Sequence, residues 1–245
     1  MNKQQPFIYM LTLLLVLAAN GCSKEPPSAS ESAKADYDKA KAMIDDGSFG
    51  KANLYLEHYT TNHPYSAYAP RAEILRIYAA YRNSEYVLSE TLSTHFIQSH
   101  PRHPDVAYAR YLEAMSNAKQ AGNAERDTAP IKRAIESFSK LIKDYPDSIY
   151  SKDVLPRIQQ LRNKLAKREL IVGKYYFDNA RFVAAANRFK VILDEYQTSP
   201  VIEEALYYLS SSYHELHIDT SAHEIAVLLR HNYPNSKWSA KVEGL

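Results

Sequence analysis

The sequence of 245 residues holds one cysteine, one tryptophan and six glycines. With a single cysteine no disulfide forms within the chain, and the fold must hold by packing. So few glycines leave little material for a Walker loop or a dinucleotide fingerprint, and neither motif occurs. Lysine and arginine number 30 against 28 acidic residues, a net charge of +2, and no long basic run is present. Nucleic acid is therefore not an expected partner. Strand-type alternation is weak, which with the scarcity of glycine points to helices. What the chain does have is tyrosine, twenty copies of it, within an ordinary apolar content of 45%. These rings either fill helix contacts or line a peptide-binding groove, and the sequence leaves that choice open.

The N-terminus reads as a targeting segment. One positive charge, Lys3, precedes an apolar run from Phe7 to Ala19. At about thirteen residues the run is too short to span a bilayer and has the shape of a signal-peptide core. It ends in Ala19-Asn20-Gly21-Cys22. A lone cysteine there resembles the bacterial lipoprotein processing site, where cleavage precedes the cysteine and its sulfur takes a diacylglycerol. Ala19 and Asn20 depart from the leucine and small residue usual at that site. Cleavage by the ordinary signal peptidase, with Cys22 incidental, is the alternative. Acyl chains such as palmitate on Cys22 give stable anchoring, at about 0.8 kcal/mol per buried CH₂. Ser23 and Lys24 follow, with no aspartate beside the cysteine, so the resemblance implies the outer rather than the inner membrane. Ser23 to Ala33, with Pro26, Pro27 and no apolar period, reads as a flexible linker. The expected divisions are a signal peptide over 1–21, an anchor and linker over 22–33, and a helical domain over 34–245.

That domain is repetitive. In Asp36–Pro64, Ala40, Gly47, Phe49, Ala52, Leu56 and Tyr59 spell a helix, a tight turn and a second helix closed by proline. Alanines at the crossing let the two helices approach closely. Five such units are expected near 34–64, 66–101, 104–146, 149–197 and 201–234. In the second, Ile74, Leu75, Ile77, Tyr78 and Tyr81 are followed by Val87, Leu88, Leu92 and Phe96 on the second helix. The third carries Tyr108, Tyr111, Leu112 and Met115, then a polar run from Lys119 to Thr128 that reads as an inserted loop. In the fourth, Ser151 to Asp178 reads as one long helix of about 26 residues, basic through Arg157, Arg162, Lys164, Lys167, Arg168 and Lys174. Ala180, Phe182, Ala185, Phe189 and Ile192 then match Gly47 to Tyr59 spacing for spacing. Trp238 opens a terminal segment suited to capping the last unit. The closing turns also recur, as His63-Pro64-Tyr65-Ser66, Tyr145-Pro146-Asp147-Ser148, Tyr196-Gln197-Thr198-Ser199 and Tyr233-Pro234-Asn235-Ser236. The period of about 37 residues resembles the 34-residue tetratricopeptide repeat. The resemblance implies an all-α, right-handed superhelical array with a concave groove that binds peptides or protein domains.

Signs of chemistry are few. His214 and His217 lie three apart on an expected helix with His223 nearby, but no His-Glu-x-x-His order accompanies them. His95, His100 and His103 read as satisfied surface histidines at a helix end and loop. Scattered carboxylates suggest no acid pair. No metal, cofactor or catalytic residue is assigned, and the chain is read as non-enzymatic.

A closer resemblance rests on three stretches. These are His63 to Tyr86, then His103-Pro104-Asp105 with Tyr108, Tyr111, Ala114, Met115 and Asn117, and Phe138 to Ser148. With the lipidation site, they make the chain similar to the BamD family, the repeat lipoproteins of the outer-membrane β-barrel assembly machine. The resemblance covers the whole mature chain, and Gln197 departs from the proline usual in the family's turn. It implies a scaffold whose C-terminal repeats dock the periplasmic domain of the barrel-shaped insertase, with Arg181, Asn187 and Arg188 as the docking residues. It implies N-terminal repeats that hold the C-terminal signal of unfolded barrel precursors. Tyr65, Tyr68, Tyr78, Tyr81, Tyr108 and Tyr111 offer ring faces, and Arg71 or Arg82 a cation for a carboxylate. Other lipoproteins of the machine are implied as partners too. The alternatives are a repeat lipoprotein that organises other envelope or division proteins, and an envelope hydrolase or metal enzyme.

Overall fold

A computed structural model describes residues 28–120 and 127–242. Cys22, the leader and the middle of the polar run after Lys119 lie outside the described residues. Among those described there is no strand, and no helix is long and apolar enough to cross a membrane.

Five helix pairs follow one another. The first is α1 (Ala29–Asp45) with α2 (Phe49–Leu56) and the short α3 (Tyr59–Asn62). Next come α4 (Ala69–Arg82) with α5 (Tyr86–Ser99), and α6 (Val106–Gln120) with α7 (Ala129–Asp144). The fourth pair is α8 (Ile149–Lys152) and α9 (Val154–Asp178) with α10 (Phe182–Glu195). The fifth is α11 (Ile202–Glu215) with α12 (Asp219–Asn232), and α13 (Lys237–Val242) ends the array. Each second helix packs against its own first helix and against the first helix of the next pair. First helices of neighbouring pairs also touch, as α4 with α6 and α9 with α11, whereas successive second helices scarcely do. The array therefore curves with its first helices on the inner side. This is the tetratricopeptide-like arrangement that the spacing leads one to expect.

One triplet of positions recurs on every second helix, at intervals of four and three. It reads Ala52-Leu56-Tyr59, Ser89-Ser93-Phe96, Ala134-Phe138-Leu141, Ala185-Phe189-Ile192 and Ala222-Ala226-Leu229, and every member is buried. In the second pair the small slots belong to serine. The expected core residues Val87, Leu88 and Leu92 lie further out, and Val87 is 67% exposed. The serines tolerate burial because each hydroxyl is bonded. Ser89 Oγ donates to the Ile77 carbonyl at 3.2 Å, Ser93 Oγ to the Ser89 carbonyl at 2.7 Å, and Ser116 Oγ to Ser89 Oγ at 3.0 Å.

Two kinds of turn alternate. Within a pair, one residue takes the left-handed region: Gly47 (φ 76°), Ser84 (65°), Ala180 (54°) and His217 (56°). In each, the following amide reaches back five residues to the helix end, as Ser48 N to the Met43 carbonyl and Arg181 N to the Tyr176 carbonyl. Between pairs, the chain leaves the helix through a C-cap with φ near −130°, at His63, His100, Tyr145, Tyr196 and Tyr233. Ser66, Ser148 and Ser236 each accept the amide two residues on, as their place before a helix suggests, and His103 Nδ1 does the same for Asp105 N. Ser199 Oγ, in the worn copy, has no partner.

Two boundaries differ from the expectation. The stretch read as linker up to residue 33 is helical from Ala29, because Ser28 and Glu31 form a reciprocal capping box. Tyr59 Oη then donates to the Ala33 carbonyl at 2.7 Å, which ties this first turn into the core. The long helix is broken at Asp153 into α8 and α9. The N-terminal half of α9 buries Leu161 and Leu165 beside Phe138, and its C-terminal half buries Leu170 beside Phe189, so one rod joins two cores. At Gly173 a Cβ would sit 2.5 Å from the Phe189 ring.

Replacing exposed Ala180 or His217 by glycine relieves a left-handed L-residue and is expected to stabilise the domain by about 0.5 kcal/mol after the added unfolded-state entropy. Gly173→Ala is expected to destabilise it by about 1–3 kcal/mol through overpacking. Urea denaturation of the mature domain checks both signs.

Candidate peptide-binding surface

On α4, Tyr78 and Tyr81 are three residues apart, and on α6, Tyr108 and Tyr111 are likewise, so each pair shares one helix face. Because first helices pack side by side, these faces join. Tyr150 of α8 extends the row, with its ring 5.0 Å from Tyr108 and 5.3 Å from Tyr111, the latter stacked at 30°. Tyr37 of α1 extends it at the other end, lining a 200 Å³ cavity with Ile74, Tyr78 and Tyr108. Tyr81 opens a second cavity of 250 Å³ floored by Met115, Phe138 and Leu161. The result is a strip of six tyrosines across the first three pairs and the start of the fourth.

The strip is held in place by polar contacts at its edges. Tyr111 Oη donates to Asp153 Oδ2 at 3.1 Å, and Arg157 donates to the same oxygen from Nε at 2.8 Å and Nη2 at 2.7 Å. Arg157 and Tyr111 together hold the Asp153 carboxyl below its usual range, the arginine contributing most. Burial pushes the Tyr108 hydroxyl well above the usual phenol range, and the hydroxyls of Tyr150, Tyr78 and Tyr111 add to the shift. Burial also raises Tyr81, Tyr111 and Tyr150.

Not all residues singled out from sequence join this strip. Tyr78, Tyr81, Tyr108 and Tyr111 do. Tyr65 is 99% exposed on the closing turn and lines a separate cleft with His63, Ser66 and Tyr68. Tyr68 touches the strip only through Tyr37, with ring centroids 5.3 Å apart. Arg71 is exposed. Arg82 is already engaged: its guanidinium lies 4.5 Å from the Phe49 ring and donates to Tyr78 Oη. The cations beside the open cavity are instead Lys119, Arg157 and Lys164. Sequence reasoning missed Tyr37, Tyr150 and Arg157 as members, although i, i+3 spacing along α9 offered a signal for the last.

In the fourth pair, Arg181 and Asn187 are exposed, and Val183, four residues before Asn187, is 61% exposed on the same face. Arg188 differs, because its guanidinium donates to Glu169 Oε2 at 3.1 Å, which ties α10 to α9. The histidines also sort differently. His100 and His103 pack on Phe96 with centroids at 4.8 and 5.4 Å, and His100 Nε2 lies 3.2 Å from Glu73, so both are satisfied, as the sequence reading has them. His214 and His223 line a 460 Å³ cavity with Asp219 and Arg230, while His217 occupies a left-handed turn. Among the described residues no group of three His, Cys, Asp or Glu side chains is placed to hold a metal ion.

Comparison with known proteins places this geometry in a family. The model of the YfiO family, described as outer membrane lipoprotein, matches residues 29–228, starting where α1 starts. A protein of Rickettsia prowazekii is 30% identical over 233 residues, 94% of this chain and 93% of its own. One of Caulobacter vibrioides is 26% identical over 239 residues, covering 96% and 78%. One of Haemophilus influenzae is 27% identical over 242 residues, covering 95% and 92%. All three are named outer membrane protein assembly factor BamD.

The shielded phenols set a dependence on alkaline pH. An unfolded tyrosine ionises near pH 10, whereas Tyr108, Tyr81 and Tyr111 in the fold, and Tyr55, pushed up to about 12 by burial and by Asp36, hold their protons longer. The folded state therefore binds more protons above pH 10, and the stability from these groups, complete below that value, is lost as pH rises through the folded range. Denaturation midpoints are expected to stay level to about pH 9.5 and then fall. The fall should be shallower in Tyr108→Phe, which keeps the ring without the hydroxyl; an unchanged slope would refute the shielding.

Proposed function

The chain belongs to the YfiO family of outer membrane lipoproteins, and from that premise we propose that it is a non-catalytic assembly factor for outer membrane proteins. The observation that carries the reading is the strip of tyrosines continuous over three helix pairs. Rings offer apolar faces with hydroxyl edges, which suit an extended segment rich in alternating aromatic and polar side chains. In this reading the strip receives the C-terminal signal of an unfolded barrel precursor. Its core residues are Tyr78, Tyr81, Tyr108 and Tyr111, with Tyr65, Tyr68 and Arg71 at the entry side.

The opposite end of the array serves the machine. Arg181 and Asn187, with Val183 between them, dock the periplasmic domain of the barrel-shaped insertase, and Arg188 holds α10 in position for that contact. Further lipoproteins of the machine bind elsewhere along the array. Lipid on Cys22 tethers the chain to the periplasmic face of the outer membrane. Between Cys22 and the capping box at Ser28 five residues intervene, at most about 20 Å of chain, so the first pair stays close to the lipid headgroups.

A photo-crosslinking residue at Tyr81 is expected to capture an unfolded barrel precursor, while one at exposed Val87 on the second helix of the same pair is not. Tyr78→Ala with Tyr111→Ala should weaken that capture and leave co-purification of the insertase intact, whereas Arg181→Glu with Asn187→Glu should do the reverse. Loss of both activities in either variant points to unfolding and removes the division of labour. Cys22→Ala is expected to move the chain from the membrane fraction to the soluble periplasm, checked by fractionation and by the acyl mass on the wild-type N-terminal peptide.

A further inference from the structure

Helices alternate in direction along the chain, so the closing turns of all pairs lie on one edge of the array, the edge where α1 begins. In the first pair the contact is direct. Ala29 and Ser30 of α1 line one 410 Å³ cleft with Asn62 to Tyr68 of the closing turn. Tyr59 Oη, donating to the Ala33 carbonyl, ties the two together. This first turn differs from its copies in charge. From His58 to Pro70 the chain has no lysine, arginine, aspartate or glutamate. Aligned on their C-cap residues, the other turns carry Arg102 and Asp105, then Asp144 and Asp147, then Asp194 and Glu195, then Arg230 and Lys237. His63 is turned inward, with Nε2 2.8 Å from Asp36 Oδ2. Pro64, Tyr65 and Ala67 face solvent, and Tyr65 is 99% exposed. A ring left wholly in water forfeits the stabilisation of apolar burial. The same ring, with a hydroxyl at its tip, suits the boundary between lipid headgroups and acyl chains. A charged side chain is costly once it leaves water for lipid, and the first turn alone has none to place there.

We infer that the closing turn of the first pair rests on the phospholipid surface, with the Tyr65 ring in the headgroup layer and Pro64 and Ala67 against it. The inference rests on the reading of Cys22 as the lipidated residue. The tether selects lipid as the partner. Five residues separate Cys22 from Ser28, at most about 20 Å of chain. Helix α1 has 17 residues, a length of about 25 Å. The tether therefore holds the Ser28 end of the pair, and the turn packed beside it, nearest the bilayer. The Gly47 turn stands up to a helix length further away. Acyl chains alone hold the domain without orienting it, whereas an added ring contact fixes which edge faces the membrane. The array then tilts away from the surface along that edge, because exposed Asp194 and Glu195 on the fourth turn are repelled by a layer of phosphates. Tyr65 makes no ring contact with the strip, so the lipid contact is independent of what the strip binds.

The test uses the mature acylated chain in vesicles of phosphatidylethanolamine and phosphatidylglycerol. Acylation consumes the one cysteine of the sequence, so Tyr65→Cys offers a single site for an environment-sensitive dye. Gln197→Cys and Asn235→Cys place the same dye on exposed turns of the fourth and fifth pairs. The dye at 65 is expected to shift to the blue and to be quenched by a nitroxide carried on the lipid headgroup. At 197 and 235 neither change is expected. Thr61→Glu with Ala67→Glu, both at exposed positions, should abolish the shift at 65, and circular dichroism checks that the variant stays folded. Flotation with the vesicles and the acyl mass on the N-terminal peptide read the anchor separately. A chain that is acylated and floats, yet leaves the dye at 65 unshifted, overturns this inference alone. A chain that carries no acyl group overturns the anchor reading and this inference with it. An equal shift at 197 and 235, or one that survives the double substitution, also overturns it, by tracing the signal to the dye or the tether.

Discussion

The whole array depends on how closely two helices can approach. Each second helix carries a small side chain where it crosses its neighbours, at Ala52, Ser89, Ala134, Ala185 and Ala222, all buried. A larger residue there would push the helices apart and uncover the side chains of the triplet that follows it. No pair closes a core alone, because its apolar residues face both the partner helix and the next pair. Stability therefore passes from neighbour to neighbour, as in other repeat arrays. Gly173 marks the tightest of these approaches, where even a methyl group would enter the Phe189 ring. That contact lets α9 lie flat on α10 while its other half serves the core around Phe138.

Close packing of first helices has a second consequence. It brings Tyr78, Tyr81, Tyr108 and Tyr111, which are on different pairs, onto one surface. Their spacing of three within each helix was legible in the sequence, and so was their chemistry. The triplets with apolar members, the left-handed turn at Gly47 and its equivalent at Ala180, and the helical cap at Trp238 were legible for the same reason: each follows from a local period. What was hidden has a common cause too. Ser89 and Ser93 look like surface residues until their hydroxyls are seen to bond inside the core. The capping box at Ser28 lies in a stretch rich in proline and serine that otherwise reads as linker. Arg82 looks free until Phe49, more than thirty positions earlier, is placed under its guanidinium. Tyr150 joins rings about forty positions upstream, which no local pattern announces.

The charged cavity beside Tyr81 owes Arg157, Gln160, Leu161 and Lys164 to one place where the period breaks. In the regular pairs the first helix ends two residues before the left-handed one, as Arg82 stands to Ser84 and Glu215 to His217. Counted back from Ala180 in the same way, a first helix as long as Ala69–Arg82 would begin at Leu165. Arg157, Gln160, Leu161 and Lys164 all precede that point, so they belong to the length by which α9 exceeds its counterparts. Lys119, counted in the same way from Val106, is the last residue of a first helix of regular length and the counterpart of Arg82. The regular copies thus supply rings and a curved frame, which any array of this kind provides. Two of the three cations at the rim, Arg157 and Lys164, come from the added length of α9, and Lys119 comes from the regular end of α6. The added length also supplies Leu161 to the apolar floor, beside Tyr81, Met115 and Phe138, so this cavity exists only because α9 is longer than its counterparts.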